Sequence, residues 1–428
     1  MNKTTELSLP KLPTIAIILM SIVGCGSETD SSALAKEVEL ERLRAEGTII
    51  ETVTIVGDQV RLKAGDTLQL SAIGVDSNGN SRDITNELTW RTSDNNIATI
   101  NDNGLVTALM NSSINQGVVS ITATTINDMF DEGEVSVSDT KAQAISLKQI
   151  SPATETINTC APAQITGDVT YIDGYVSLNT VRDMRFFVDE NSSAKIDTNG
   201  FIYTSAAVTE STTITAAIDD VTNQLTVVAD PKNLNNISLL LDNEETEKIT
   251  LAIGDRVNID ARATYADSVT TTPIDINNSI NWGVVNNDYI GLTKAGNTKG
   301  TLLAIKPGVT QLLGSCGGQQ AIATVVVEGT TDIDSLQIND GSDLYTIAPL
   351  KSIVLKLTAS YTTNSTNLNV SEFADWSLND SNILDAELIN IGSENAALRV
   401  TSNQNSVGSA ILSVSFAGIL NSIQINIE

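Results

Sequence analysis

The amino-acid sequence predicts an all-β protein in which four β-sandwich domains follow one another along the chain. Four bulky aromatic residues, Trp90, Phe186, Trp282 and Trp376, recur at intervals of 96, 96 and 94 residues. Apolar and polar residues alternate in the intervening segments, and turn residues recur every eight to twelve positions, as is typical of a sandwich. Because these intervals far exceed the roughly 20–50 residues of solenoid repeats, each repeat is expected to bury its own core, like a bead on a string.

The first element along the chain is a predicted export signal. Lys3 and Lys11 precede an apolar run over residues 15–23, which is too short to span a bilayer as a stable helix. The run ends in Gly24 and Cys25, and this resembles a lipobox, in which the cysteine is acylated and becomes the mature N-terminus. The sequence therefore predicts a lipoprotein signal peptide over residues 1–24 and lipidation of Cys25. The alternative is an ordinary secretory signal with a chance cysteine.

The second element is a predicted tether over residues 25–50, which would connect the lipid anchor to the first domain. Residues 32–46 place Leu34, Val38 and Leu43 along one side, and Gly47 follows them, which predicts a short helix with that apolar side. A solvated linker is the alternative, because helices of about 12–15 residues are marginal when isolated.

The third element is the first sandwich domain, and its pattern returns in the later repeats. An alternating strand is predicted around Leu68, Leu70 and Ala72, and the segment after Trp90 has the composition of two strands joined by an Asn-Gly turn at Gly104. In the second repeat Ala194 and Gly200 follow Phe186 at the same spacing. The alternation favours an antiparallel sandwich. The predicted domains are residues 51–140, 141–231, 232–330 and 331–428.

Segments of the first repeat carry a resemblance to a known family. Gly65 to Ala72, Asp83 to Thr85, Trp90 to Asp94 and Asn103 to Ala108 are similar to the bacterial immunoglobulin-like domain, group 2. The resemblance covers residues 52–137 and extends to the later repeats. It implies an immunoglobulin-like fold for each of them. The fourth repeat departs from the pattern, because residues 385–387 stand where the Asn-Gly turn is expected.

Two cysteines remain if Cys25 is acylated, and they lie in different repeats. Superposition of the repeats places Cys160 opposite Gly65, before the second main strand, and Cys316 opposite Thr125, in the final hairpin. These turns lie at opposite ends of a sandwich, so consecutive domains would bring the two thiols together. The sequence predicts a disulfide between Cys160 and Cys316, because exported proteins reach an oxidising compartment. Free thiols or an intermolecular bridge are the alternatives.

The composition excludes several classes of function. The chain has no histidine, which removes Ser-His-Asp catalysis, Cys-His catalysis and histidine-containing zinc sites. The net charge of -28 and the lack of basic clusters disfavour nucleic acid as a partner. Aromatic residues make up 4% of the chain, which leaves few rings for stacking on bases or sugars. A non-enzymatic protein without a resident cofactor is therefore expected.

Calcium is the one cofactor for which the acidic loops offer candidates. Asp76, Asn78 and Asn80 place oxygen ligands at alternate positions around a glycine, as at the start of a calcium loop. A plain hairpin turn between two strands is the favoured interpretation of the same residues.

Two functions are compatible with these observations. The first is a surface stalk, anchored in the outer membrane by lipid, whose tandem domains contact a protein or glycan in adhesion. The fourth domain, farthest from the lipid, is the expected contact region. The second is a structural or accessory lipoprotein of the envelope that has no external ligand. Gly26 favours the outer membrane, because an aspartate at that position would resemble an inner-membrane retention signal.

Overall fold

The structure is a computed structural model, and it describes residues 29–154, 156–266, 272–294, 296, 298–361, 367–403 and 407–428. The predicted signal peptide and Cys25 lie outside these residues, so lipidation stays a prediction. Within them the strands fall into four consecutive groups of packed sheets, which confirms the all-β tandem sandwich fold. In this part of the chain, no helix is long and apolar enough to cross a membrane.

One helix precedes the four groups of strands. The helix is α1 (Thr29–Glu46). Domain 1 contains β1 (Ile50–Val56), β2 (Val60–Leu62), β3 (Thr67–Gln69), β4 (Ser71–Asp76), β5 (Ser81–Asp83), β6 (Thr89–Thr92), β7 (Ala98–Ile100), β8 (Leu105–Ala108), β9 (Val118–Thr124) and β10 (Phe130–Val137). Domain 2 contains β11 (Ala142–Ser151), β12 (Thr156–Asn158), β13 (Ala163–Tyr171), β14 (Val176–Thr180), β15 (Arg185–Val188), β16 (Lys195–Ile196), β17 (Phe201–Tyr203), β18 (Glu210–Ile218) and β19 (Val221–Asp230).

The last two domains repeat the same succession. Domain 3 contains β20 (Leu234–Leu241), β21 (Glu244–Glu245), β22 (Lys248–Ala252), β23 (Arg256–Tyr265), β24 (Ile274–Asp275), β25 (Asn281–Val284), β26 (Ile290–Leu292), β27 (Thr301–Ala304), β28 (Gly308–Cys316) and β29 (Gln319–Glu328). Domain 4 contains β30 (Ile333–Ile338), β31 (Leu344–Ile347), β32 (Ser352–Leu355), β33 (Leu357–Tyr361), β34 (Asn367–Asn369), β35 (Asp375–Leu378), β36 (Leu384–Ile389), β37 (Ala397–Ser402), β38 (Gly408–Phe416) and β39 (Ile419–Ile427).

Helix α1 packs against domain 1 through a different face from the expected one. Leu40 is 7% exposed, whereas Leu34 and Val38 are 67% and 62% exposed. Lys36 lies on the packed face and pairs with Asp128 of domain 1 at 2.9 Å. Residues 36, 40 and 43 share one side of a helix, because their spacing of four and three residues is close to whole turns, and residues 34 and 38 lie on the opposite side. The segment is therefore a docked helix in place of a solvated linker.

Each domain has a four-stranded sheet that is not fully antiparallel. In domain 1 its order is β2-β10-β9-β6, and the corresponding sheets are β12-β19-β18-β15, β22-β29-β28-β25 and β31-β39-β38-β35. The first two strands of every such sheet are parallel, and the other pairs are antiparallel. The antiparallel sandwich that the alternation predicts therefore includes one parallel pair in each of these sheets. The early strand and the last strand run in the same direction because the chain enters a domain at one end and leaves it at the other.

The turn glycine that repeats along the sequence is required by close backbone packing. Gly104 has φ +76°, and a Cβ atom on it would lie 2.6 Å from the carbonyl oxygen of Leu70. Gly200 has φ +77°, and a Cβ atom on it would lie 2.4 Å from the carbonyl oxygen of Ile165. A larger residue would clash there, and it would also be strained by the left-handed backbone. The glycines at this spacing therefore identify the same turn in domains 1 and 2.

Domain 4 replaces this turn with a longer hairpin. Strands β36 and β37 are six residues each, whereas β7 and β8 of domain 1 are three and four residues long. Residues 385–387, which lack the expected Asn-Gly turn, continue strand β36 and pair with residues 399–401 of β37. The departure in the sequence is therefore an extension of the hairpin, and its turn lies at residues 390–396.

The four hydrophobic cores are not equally independent. Backbone contacts divide the chain between Asp139 and Thr140, so that domain 1 belongs to one compact unit and domains 2, 3 and 4 form another. Within the second unit Cys160 of domain 2 belongs to the core of domain 3. Leu303 and Ile305 of domain 3 belong to the core of domain 4. Domains 2–4 thus differ from the expected independent beads, because apolar side chains are buried across their junctions.

Candidate functional site at the domain junctions

The junction between domains 2 and 3 holds the two cysteines. Cys160 follows β12 and Cys316 ends β28, and their sulfur atoms are 2.13 Å apart with a Cα–Cα distance of 6.0 Å, as a disulfide. Both side chains are buried, at 0% and 2% exposure. The bond therefore joins the turn before the second main strand of domain 2 to the final hairpin of domain 3.

Cys160 occupies a backbone position at which two other domains have glycine. Its φ is +75°, and Gly65 and Gly254 have φ values of +95° and +92° in the equivalent turns. Each of the three residues donates its N–H to a carbonyl oxygen at the end of the equivalent strand. For Cys160 the acceptor is Thr204, directly after β17. A side chain in this left-handed region costs about 1–2 kcal/mol relative to glycine. The bond to Cys316 accounts for a cysteine at a position that glycine suits better.

Polar contacts close the same junction around the disulfide. The hydroxyl of Tyr265 donates to the carbonyl oxygen of Thr159 at 2.8 Å. The N–H of Gly317 donates to the carbonyl oxygen of Ser205 at 3.2 Å. On domain 3 Lys299 donates to the carbonyl oxygen of Asn278 at 3.1 Å, and burial, with the positive charge of Lys195 on domain 2, lowers the pKa of Lys299 to about 8. Domains 2 and 3 are therefore held together by covalent, apolar and polar contacts.

The junction between domains 3 and 4 uses the same tyrosine without a disulfide. The hydroxyl of Tyr361 donates to the carbonyl oxygen of Ile305 at 2.6 Å, and its ring is 6% exposed. Burial, assisted by the negative charge of Asp332, raises the pKa of Tyr361 above its usual range. Lys306 pairs with Asp332 across the same junction at 2.9 Å. This junction thus depends on packing, a hydrogen bond and an ion pair.

These tyrosines are the functional residues that the sequence analysis missed. Tyr171, Tyr265 and Tyr361 end the equivalent strands β13, β23 and β33, at intervals of 94 and 96 residues. Domain 1 has Asp76 at the end of the equivalent strand, β4. The regular spacing of these tyrosines is a signal of the same kind as the regular spacing of the core aromatics. It could have identified the tyrosine as a repeat-specific residue, but not the carbonyl oxygens of Thr159 and Ile305 that accept from Tyr265 and Tyr361.

We expect Tyr265→Phe and Tyr361→Phe each to lower the free energy of unfolding by about 1 kcal/mol, because each leaves a buried carbonyl oxygen without its donor. Urea unfolding of the whole chain measures the change. Tyr345→Phe is the matched control, since its hydroxyl donates to Asp340 at 2.6 Å within domain 4 at the exposed surface. An effect of the control as large as that of Tyr361→Phe would contradict a role for the hydroxyl at the junction.

The predicted core aromatics lie on the inner faces of their sheets but differ in burial. Trp90 and Trp282 are 6% and 8% exposed, whereas Phe186 and Trp376 are half-buried and pack against the cores of domains 2 and 4. The indole N–H of Trp90 donates to the carbonyl oxygen of Thr85 at 2.9 Å, and that of Trp376 donates to the carbonyl oxygen of Ser371 at 2.8 Å.

The calcium candidates form a hairpin turn between β4 and β5. One carboxylate oxygen of Asp76 accepts the N–H groups of Asn78 and Asn80, both at 2.9 Å. The side-chain amide of Asn80 reaches the other oxygen at 3.3 Å. These bonds lower the pKa of Asp76, with that from the N–H of Asn80 as the main cause. In the described ranges no group of three or more Asp, Glu, Cys or His residues is placed to hold a metal ion.

Comparisons with known proteins identify the first domain and one relative. Residues 49–131 match the model of the bacterial Ig-like domain (group 2), which confirms the resemblance of this domain. Ice-binding protein 1 of Shewanella frigidimarina (strain NCIMB 400) is 23% identical over 412 residues. That alignment covers 95% of this chain and 42% of the relative, so the chain spans less than half the length of the relative.

Solved structures also show similarity along most of the chain. Domains 4–9 of the surface layer protein SbsC match with a TM-score of 0.27 and 13% identity, over 89% of this chain and 65% of that chain. The extracellular domain of protocadherin GammaB4 matches with a TM-score of 0.17 and 10% identity, over 88% of this chain and 66% of that chain. Scores this low do not establish a shared arrangement of domains.

Proposed function

We propose that this chain is a non-enzymatic, lipid-anchored protein of the outer membrane whose tandem domains form a surface stalk for adhesion to a protein or glycan. The observation that carries the proposal is the disulfide between two successive domains, Cys160 to Cys316. A bond of this kind persists in an oxidising compartment, as outside the cytoplasm. It also restricts motion between the two domains, which suits a spacer that holds a binding surface away from the membrane.

The alternative is an envelope lipoprotein that supports a complex in the periplasm and has no external ligand. The contacts at the junctions suit this role equally well, because a scaffold also needs fixed domains. The two functions differ in the side of the outer membrane that the domains face. A measurement on intact cells therefore separates them.

We expect a protease added to intact cells to remove the protein. A soluble periplasmic protein measured in the same sample serves as the control for intact membranes and should survive. Digestion supports the surface stalk, whereas protection of both proteins supports the periplasmic scaffold. In the same cells Cys25→Ser should release the protein from the membrane fraction, because stable anchoring requires more than one acyl chain and the variant carries none.

The Shewanella relative is named an ice-binding protein, so ice is a further surface that such a stalk could contact. Inhibition of ice recrystallisation by the purified chain would assign ice binding to these domains. Absence of inhibition would leave the domains as the spacer, with the contact made to a protein or glycan.

A further inference from the structure

We propose that the cleft between domains 3 and 4 binds a neutral saccharide of one or two sugar rings. This inference rests on the proposed function and deepens it, because it names a site and a ligand class for the stalk. The cleft has a volume of about 450 Å³. That volume lies in the range of about 300–1,000 Å³ that is typical of small-molecule sites.

The cleft has three walls, and the hairpin of domain 4 forms one of them. Leu388 and Ile391 line it from the hairpin β36–β37, whose turn reaches domain 3. There the hydroxyl of Thr298 donates to the carbonyl oxygen of Ile391 at 3.3 Å. Residues 284–294 of domain 3 and residues 372–375 of domain 4 supply the other two walls. The extension of the hairpin beyond the pattern of domain 1 thus builds a wall of the cleft.

The packing of Phe373 fixes the base of the cleft. Its ring lies against the Cα of Gly291, where a Cβ atom would be 2.5 Å from the ring. The guanidinium of Arg256 lies over the ring at 5.9 Å from its centroid. Because domain 4 supplies the ring and domain 3 supplies both neighbours, these contacts join the two sides of the cleft.

Glu372 is the feature that indicates a ligand. One of its carboxylate oxygens accepts the N–H of Gly392 at 2.6 Å. The other, Oε1, is buried and has no hydrogen-bond partner among the described residues. A buried carboxylate oxygen without a donor is costly. Because less than 1 Å² of this oxygen is exposed, the Glu372 side chain must turn toward the cleft for a hydroxyl group of a ligand to donate to it.

The remaining lining matches a neutral sugar better than an ion. Half-buried aliphatic side chains such as Val284, Leu292 and Leu388 provide apolar surface for the C–H faces of a ring. Glu372 and Asp375 carry two negative charges, and Lys294 and the neighbouring Arg256 carry two positive charges, so a neutral ligand matches the cleft better than a charged one. In the described part of the chain no cluster of acidic residues suits a metal ion. Hydroxyl groups would donate to the carboxylates, and the amide of Asn287 lies at the rim.

The test uses ligand-observed NMR with the purified full chain and four neutral disaccharides, namely lactose, maltose, cellobiose and chitobiose. We expect saturation transfer to at least one of them. Glu372→Gln should weaken that binding at least tenfold, and Asn287→Ala should weaken it about threefold. Glu244→Gln is the matched control, because this exposed glutamate lies in domain 3 away from the cleft. Amide hydrogen exchange verifies that each variant keeps its fold.

The outcomes separate this inference from the proposed function. Absence of transfer to all four disaccharides, or equal transfer in the wild type and both cleft variants, overturns the saccharide site. A thermal shift with calcium that Glu372→Gln abolishes, without saccharide binding, would identify a cation site and also overturn it. Protease digestion on intact cells does not depend on the cleft. If the protein resists the protease but the purified chain binds a disaccharide, only the outward orientation is overturned.

Discussion

Replacing Cys160 and Cys316 with alanine is expected to lower the free energy of unfolding of domains 2 and 3 by about 3–5 kcal/mol. The bond closes a loop between residues 156 positions apart. In the loop-entropy model a closure of this length restricts the unfolded chain by about 5 kcal/mol, and strain in the folded state reduces the gain.

The measurement is guanidinium unfolding of the exported full chain with and without a reductant. The wild type should lose stability in reductant, whereas the double variant should not respond. Peptide mapping under non-reducing conditions provides the independent check. Two thiols that both react with an alkylating reagent in the exported protein would contradict the bond and with it the expected loss.

The left-handed backbone of Cys160 supplies a matched control. Cys160→Gly combined with Cys316→Ala also lacks the bond, but glycine accepts the φ of +75° without strain. This variant is therefore expected to be about 1 kcal/mol more stable than the double alanine variant. Equal stability of the two would mean that the turn relaxes when the disulfide is absent.

Replacing Trp90 with alanine is expected to lower the stability of domain 1 by about 3–5 kcal/mol, as for other large aromatic residues removed from a core. Trp90 is 6% exposed, and its indole N–H donates to the buried residue Thr85. The substitution creates a cavity and also leaves a carbonyl oxygen of Thr85 unpaired. Both effects act on the same domain.

Peptide-resolved hydrogen exchange measures this loss domain by domain in the full chain. The exchange rate should rise throughout domain 1. Phe186→Ala is the control at the equivalent position of domain 2, and we expect a smaller loss there because that ring is half-buried. If Phe186→Ala destabilises its domain as much as Trp90→Ala does, the burial of an aromatic ring does not determine how much the ring stabilises its domain.

Much of the fold follows from local patterns in the sequence. Alternation at Leu68, Leu70 and Ala72 predicts which face of the strand is buried, and the structure leaves Leu70 and Ala72 fully buried. Gly104 and Gly200 identify the turn because their backbone conformation excludes side chains. The packed face of helix α1 follows from the spacing of Lys36, Leu40 and Leu43. The prediction was wrong for Leu34 and Val38, which lie on the exposed side.

The sequence by itself determined the all-β tandem class of the fold and the inward face of strands such as β4, because burial of one face of a strand is recorded as a period of two along a short segment. Only the tertiary structure decided how Tyr361 meets Ile305, how the hairpin of domain 4 reaches Thr298 and where Glu372 is buried. These contacts join residues in different domains. Their geometry depends on the rotation of one sandwich against the next, and no period in the sequence of either domain records that rotation.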